Sequence, residues 1–190
     1  MKKAIEYKTF KNVDYTSEPL IDSDYEACRF DNCNFSEITI GDINFIECVF
    51  NNCNLSMLMP NNTSFRDVVF KSCKMLGIRF DNCNPFLLSF SFDSCTLNFS
   101  SFYNLKILQT RFINCKLNEV DFASANLTKA TFRQCDLSGT IFDYTILEGA
   151  DLTTAYNFTI NPEENMLHKA RFSISGLEGL LRKYELIIED

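Results

Sequence analysis

The chain has 190 residues, 46% of them hydrophobic, and a net charge of -7. That length provides for one domain with a substantial core. The acidic balance disfavours direct binding of nucleic acid, which requires a basic surface. No apolar stretch approaches the roughly 20 residues of a membrane-spanning helix, and no apolar run follows the N-terminal lysines as in a signal peptide. Nine cysteines are an odd number, so we expect reduced thiols in a cytoplasmic protein.

Residues 1–24 fit only loosely the five-residue pattern that governs the rest of the chain. Phe10 and Tyr15 are in phase with that pattern, but Ser17-Glu18-Pro19 and Asp22-Ser23-Asp24 are typical of turns. Stacked repeats need a cover over their apolar end. Residues 1–24 are therefore predicted to form either an imperfect first coil or an N-terminal cap.

From residue 25 to residue 157 a bulky residue recurs at nearly every fifth position. A period of five is neither the 3.6 of a helix nor the 2 of a strand, and a fixed short period indicates stacked coils. Pro60 is a poor central residue and predicts a local bulge. The phase shifts by two residues within 84–94, where Phe90 and Phe92 cannot both be ordinary central residues, and the inward register there stays open.

The cysteines mark the same frame independently. All nine lie two residues before a central position of their local phase, with Cys83 counted in the phase that precedes the shift. Both positions are therefore predicted to face the interior and the other three to face solvent. Similar residues also recur every 20 positions, which predicts four pentapeptides per turn, stacked ~4.8 Å apart in a column roughly 30 Å long. The predicted core ladder consists of Phe30, Phe50, Phe70, Phe92, Phe112, Phe132, Cys33, Cys53, Cys73, Cys95, Cys115 and Cys135.

Several of these fives share one consensus: a small residue, then Asn or Asp, then Leu. Examples are Ala125-Asn126-Leu127, Ala150-Asp151-Leu152 and, with Cys as the small residue, Cys53-Asn54-Leu55. In this the chain resembles the pentapeptide-repeat proteins. The resemblance implies an all-β fold, a right-handed quadrilateral β-helix over residues 25–157. The hand of the helix is implied by the resemblance alone.

Residues 158–190 depart from the repeat and are predicted to form a C-terminal cap and dimerisation tail. Ser175 as N-cap and Glu178 as its capping-box partner predict a short helix to Tyr184, and residues 185–190 predict a short strand. The tail holds more apolar residues than a cap needs, so we expect a homodimer through Leu177, Leu180, Leu181, Leu186, Ile187 and Ile188.

The residues offer little for catalysis or for metal binding. Cys28 and Cys33 form a Cys-x4-Cys pair, but zinc sites usually need a second pair or histidines, and the same repeat positions hold Ala, Thr or Val elsewhere. A catalytic thiol needs a base, and the one histidine, His168, lies in the irregular tail. No glycine-rich phosphate loop is present. We therefore expect a protein that is not an enzyme and has no cofactor or metal.

A rigid acidic column followed by such a tail resembles the Qnr and McbG subgroup, which resists quinolones or a peptide toxin by acting on DNA gyrase. The resemblance implies a DNA mimic whose partner is DNA gyrase or topoisomerase IV, with neither nucleic acid nor membrane bound directly. Outward carboxylates support this reading, with Asp81, Asp93 and Asp121 as the candidate acidic face. The larger Qnr proteins carry two long loops that this chain lacks, which favours the McbG-like branch. The alternative is a scaffold for an unrelated protein partner, since any soluble β-helix needs charged faces.

Overall fold

A computed structural model describes residues 4–187 as a parallel β-solenoid of about six turns with one short C-terminal helix. The helix is α1 (Glu178–Leu181), flanked by 3-10 turns at Ile174–Gly176 and Arg182–Tyr184, and a further 3-10 turn spans Phe80–Asn82. The strands are β1 (Ala4–Glu6), β2 (Thr9–Lys11), β3 (Asp24–Glu26), β4 (Arg29–Asp31), β5 (Thr39–Gly41), β6 (Asn44–Ile46), β7 (Val49–Asn51), β8 (Met59–Asn61), β9 (Ser64–Arg66), β10 (Val68–Lys71), β11 (Phe90–Asp93), β12 (Arg111–Ile113) and β13 (Thr131–Arg133).

The strands stack in parallel, each on the corresponding strand of the next coil. They form a seven-stranded sheet (β2-β4-β7-β10-β11-β12-β13), a four-stranded sheet (β1-β3-β6-β9) and the pair β5-β8. Single-residue bridges continue the same stacking elsewhere. We number the four sides of the column by the inward central residues of one coil: Phe92 for side 1, Leu97 for side 2, Phe102 for side 3 and Ile107 for side 4.

Most sides end in a residue with left-handed backbone conformation, and this residue makes the corner. Asn32, Asn52 and Asn114 hold such corners with φ of 55°, 54° and 52°. Asparagine adopts this conformation more readily than other non-glycine residues. It also links coils, because Asn52 Nδ2 donates to Asn32 Oδ1 at 2.7 Å. The variable fifth position of the repeat is therefore a backbone corner.

Two columns of stacked phenylalanine rings fill the interior. On side 1 the rings from Phe10 to Phe132 lie 4.7–5.3 Å apart and within 22° of parallel. On side 3 the rings of Phe80, Phe102, Phe122 and Phe142 stack in the same way. The two columns meet edge to face, as Phe92 and Phe102 do at 6.0 Å and 79°. Sides 1 and 3 therefore face each other across the core.

The cysteines sit beside these rings and donate hydrogen bonds to the preceding coil. Cys53 Sγ lies 3.3 Å from the carbonyl oxygen of Phe30, and Cys135 Sγ lies 3.3 Å from that of Phe112. Thr145 Oγ1 makes the same contact with Phe122 at 2.9 Å. The position thus accepts a side chain that can donate to this carbonyl oxygen, and a thiol does so while remaining largely apolar. Ala125, Ala130 and Ala150 fill the same position without a donor. All nine thiols are free and buried.

One expected irregularity lies elsewhere than predicted, and the other lies within the predicted range of 84–94. Pro60 forms no bulge: it is buried and aligned with Ile40 in the pair β5-β8. Because proline has no N–H to donate to the following coil, the irregularity lies one coil later, in the 3-10 turn Phe80–Asn82. The two extra residues loop outward within 85–88 and expose Phe86. Phe92 then continues the ring column and Phe90 takes the inward position before it.

The N-terminal segment is a first coil, since β1 and β2 stack in register on β3 and β4. In the tail, Ser175 is not the N-cap of the helix: α1 follows Leu177 and has no side-chain cap. Ser173 caps the preceding 3-10 turn, where its Oγ accepts from the N–H of Gly176 at 3.1 Å. Residues 185–187 do not form the predicted strand, because Glu185 has a φ of 49° and leaves the extended conformation. The rest of that predicted strand lies outside the described residues.

Candidate functional site: the outer faces of the column

The interior of the described column is filled by packed apolar side chains and thiols. Burial raises the pKa of the Cys33 thiol to about 11 and that of Cys48 to about 12. Only the thiolate is a good nucleophile or metal ligand, so these thiols are inert at neutral pH. Over residues 4–187, no cluster of three or more His, Cys, Asp or Glu side chains is arranged to hold a metal ion. In that same part of the chain, no helix has the length and apolar character to cross a membrane.

The three predicted acidic residues do not share a face. Asp93 follows Phe92 on side 1. Asp121 is bridged to Ser101 on side 3, and Asp81 follows Phe80 on that side. Because sides 1 and 3 are opposite, the candidate acidic face of Asp81, Asp93 and Asp121 is wrong as a single surface.

Each of these carboxylates also has a local partner. Arg79 Nε donates to Asp81 Oδ1 at 2.9 Å, and Asp121 Oδ1 accepts from the backbone N–H of Ala123 at 2.8 Å. Asp93 Oδ1 accepts from the Ser94 hydroxyl at 2.9 Å. Burial raises the pKa of the Asp81 carboxyl, but the Arg79 guanidinium outweighs that effect and holds the pKa below its ordinary value. These side chains serve the local structure of the coil.

Carboxylates do gather on side 4, in the first four coils. We call this surface the acidic side and define it by Glu6, Asp24, Glu26, Glu47 and Asp67. Glu6 and Glu26 are aligned partners of β1 and β3, so two like charges face outward from neighbouring coils. Across residues 4–67, Arg66 is the one basic residue at an outward position of this side, and it lies over the Phe86 ring at 5.7 Å.

The basic residues lie mostly on the other sides of the column. Side 1 carries six of them and side 2 carries two: Lys11, Arg29, Lys71, Arg111, Arg133, Arg171, Lys74 and Lys116. On side 4 itself, Lys106, Lys129 and Lys169 lie in later coils. In the first four coils the charge is therefore distributed unevenly around the axis. The sequence held a signal for this, because Glu6 and Glu26, like Glu47 and Asp67, are 20 residues apart and so stack on one side.

The tail packs on the last coil and leaves apolar side chains exposed. Gly179 is buried against Phe158, and Ile160 N–H donates to the Gly179 carbonyl at 3.0 Å. Ile174 is 90% exposed, although the sequence did not single it out. Of the predicted tail residues, Leu180 packs against the core, Leu181 is half-buried, Leu177, Leu186 and Ile187 are exposed, and Ile188 lies outside the described residues.

A parallel solenoid with a filled core and charged outer faces is a repeat scaffold. Family models support this class: "pentapeptide repeats" matches residues 28–58 and "pentapeptide repeat region" matches residues 86–155, together just over half of the chain. The chain belongs to the pentapeptide-repeat family. No curated protein matches its sequence significantly.

Solved structures share the fold at low sequence identity. A trypsin-treated form of QnrB1, a plasmid-mediated fluoroquinolone resistance protein, aligns over 100% of both chains with 18% identity and a TM-score of 0.52. HetL, involved in heterocyst differentiation regulation in the cyanobacterium Nostoc, aligns over 92% of this chain and 88% of its own. Its identity is 15% and its TM-score 0.65. At these identities the likeness concerns the fold.

Proposed function

We propose that this protein is a DNA mimic that binds a type II topoisomerase, DNA gyrase or topoisomerase IV, in the cytoplasm. Binding, and not catalysis, would protect the enzyme from a quinolone or a peptide toxin. The main observation in support of the proposal is the acidic side, where the carboxylates of Glu6 and Glu26 are aligned on neighbouring strands without an intervening basic residue. Like charges placed opposite each other on neighbouring strands destabilise a sheet. A basic partner groove relieves that repulsion.

The spacing of the carboxylates suits a groove made for DNA. Glu6, Glu26, Glu47 and Asp67 lie on four successive coils, which span about 14 Å at ~4.8 Å per coil. With Asp24 this is about one carboxylate per 3 Å, close to the ~3.4 Å between charges along one strand of duplex DNA. The shared fold with QnrB1, a fluoroquinolone resistance protein, supports the same reading.

A homodimer joined at the C-terminal tails extends this mimicry. Ile174, Leu177, Leu186 and Ile187 are exposed at the end of the column, and a two-fold contact would bury each of them twice. Two columns end to end would measure roughly 60–70 Å, about 20 base pairs of DNA. Light scattering tests this part: we expect a dimer for the full chain and a monomer for Ile174→Asp/Leu177→Asp. A full chain that is monomeric at micromolar concentration contradicts it.

The test of the main proposal is DNA supercoiling by gyrase, with and without a quinolone, across a titration of the protein. We expect either inhibition or protection, and weaker binding as salt rises, because the attraction is electrostatic. Replacing Glu6, Glu26 and Glu47 with Lys removes the acidic side. The matched control replaces the exposed residues Glu119, Asp143 and Glu148 with Lys, which changes the net charge equally. Equal activity of the two variants would contradict the assignment of the face.

The second candidate is a scaffold that binds an unrelated protein. HetL supports it, because the same fold occurs in a protein involved in heterocyst differentiation regulation. Gyrase activity that stays unchanged at tens of micromolar of the protein, with and without the drug, favours this candidate over the first.

A further inference from the structure

A second outer surface, separate from the acidic side, carries exposed apolar residues. It lies on side 3 and on its corner with side 2, and we define it by Met57, Met59, Phe99 and Tyr103, which are 46–58% exposed. We call it the methionine surface. Methionine and aromatic residues are enriched at protein interfaces relative to other surfaces, and methionine adapts its shape to apolar partners.

The apolar residues approach each other at the corner between sides 2 and 3. Gly77 lies between Met57 and Phe99 in the stacked corner, and a Cβ on Gly77 would lie only 2.6 Å from Met57 Sδ. The Met57 side chain therefore lies over Gly77, on the coil next to that of Phe99. On side 3 itself, the coil between Met59 and Tyr103 carries the ion pair of Arg79 with Asp81. The apolar contact area is therefore centred on the corner.

Folding alone does not favour these residues. Met57 and Phe99 occupy left-handed corners with φ of 59° and 64°. Asparagine and glycine suit that conformation better than bulky side chains, and asparagine fills other corners such as Asn32 and Asn52. Bulky side chains also occupy other residues with this conformation, such as Leu87 and Tyr144. What distinguishes Met57 and Phe99 is that two exposed apolar residues share one stacked corner with only Gly77 between them.

Charge identifies the partner. The same corner carries Glu37 one coil before Met57 and Glu119 one coil after Phe99, both exposed. The two carboxylates are four coils apart, about 19 Å at ~4.8 Å per coil, and Met57 and Phe99 are about 10 Å apart. Along a helix that rises ~1.5 Å per residue, these distances equal about 13 and about 7 residues.

We propose that the methionine surface binds an amphipathic helix of a protein partner. Apolar residues of the helix about seven positions apart rest on Met57 and Phe99, and basic residues near its two ends meet Glu37 and Glu119. Apolar anchors at i, i+3, i+4 and i+7 are the usual mode of helix recognition. The interaction goes beyond the proposed topoisomerase contact, because it uses other sides of the column and a different chemistry.

The test uses the full chain and a fluorescent synthetic helix of about 16 residues, with Leu on one face at i, i+3, i+4 and i+7 and Lys at both ends. Fluorescence anisotropy measures its binding. We expect saturable binding that Met57→Asn/Phe99→Asn weakens by about tenfold or more. The melting temperature of that variant should be no lower than that of the natural protein, because asparagine readily adopts the left-handed conformation of both corners.

The matched control is Tyr7→Asn/Leu87→Asn, which makes the same kind of change at two other residues with left-handed backbone conformation, Tyr7 at a corner of side 4 and Leu87 in the outward loop. It should leave helix binding unchanged, as should the reversal of charge on the acidic side. Glu37→Gln/Glu119→Gln should lower affinity and reduce its dependence on salt. Absence of binding to the natural chain, or equal binding by Met57→Asn/Phe99→Asn, overturns the proposal. Self-association that this variant abolishes would assign the surface to a second copy and also overturn it.

Discussion

The ring column predicts a large difference between two chemically identical substitutions. Phe112 is fully buried and lies between Phe92 at 5.2 Å and Phe132 at 5.0 Å, both nearly parallel to it. Phe112 also meets Phe102 and Phe122 edge to face. Replacing a buried phenylalanine with alanine costs about 3–5 kcal/mol, and each lost ring pair adds about 0.5–1.5 kcal/mol beyond area burial. We therefore expect Phe112→Ala to lower the free energy of unfolding by about 5 kcal/mol, the upper end of that range.

The control is Phe86→Ala, because Phe86 lies in the outward loop and is 65% exposed. That change should cost about 0.5 kcal/mol or less. Phe10→Ala should fall between the two, since Phe10 is half-buried and stacks on Phe30 alone. Urea unfolding followed by circular dichroism gives the free energies of unfolding. A cost for Phe112→Ala within about 1 kcal/mol of Phe86→Ala would refute the column as the source of stability.

Three further predictions concern the thiols and the tail. Most of the nine cysteines should resist a thiol reagent in the native protein and all should react in denaturant; rapid native labelling of Cys53 or Cys135 contradicts their burial. The folded-state pKa values of Cys33 and Cys48 are raised to about 11 and about 12, so their contribution to stability is complete below the ordinary thiol value of 9.0. That contribution is lost as the pH rises from 9.0 through 12. The melting temperature should therefore fall over this range, and a melting temperature unchanged between pH 8 and about pH 11 would contradict this prediction. Gly179→Ala would place a Cβ 2.5 Å from the Phe158 carbonyl oxygen, so proteolysis should release the tail faster than from the natural chain; equal rates would contradict the packing.

The sequence predicted the column because each side repeats one simple requirement. A bulky residue such as Phe112 and a small one such as Cys115 must face inward on every side, so the period of five appears directly in the letters. The small position tolerates Thr and Ser as well as Cys and Ala, because a hydroxyl or thiol there donates to a carbonyl oxygen of the preceding coil. The letters alone do not show that hydrogen bond, since its acceptor belongs to the backbone of another coil.

The acidic face could not be predicted in the same way. The side that a residue occupies depends on its count of pentapeptides, and the insertion at 85–88 disturbs that count. Asp81 and Asp93 are twelve residues apart in the sequence. Two of those residues belong to the insertion, so the two aspartates are separated by two pentapeptides, which is half a turn, and lie on opposite sides. The acidic side lies before the insertion, where spacings of 20 apply directly. The tail was predicted less closely, because its helix is shorter than the predicted one and begins after Leu177 without a side-chain cap. Its position depends on contacts with the last coil, such as that of Gly179 with Phe158, which the local sequence does not show.

The central claim, that the acidic side takes the place of DNA on a topoisomerase, is tested most directly by competition. Gyrase is bound to a fluorescent duplex of about 20 base pairs, and the anisotropy of the duplex is followed as the protein is added. We predict that the natural protein displaces the duplex, that the Glu119/Asp143/Glu148 control does so equally, and that the variant with Lys at positions 6, 26 and 47 does not. A duplex that stays bound at saturating protein, or is displaced equally by both variants, would contradict the claim.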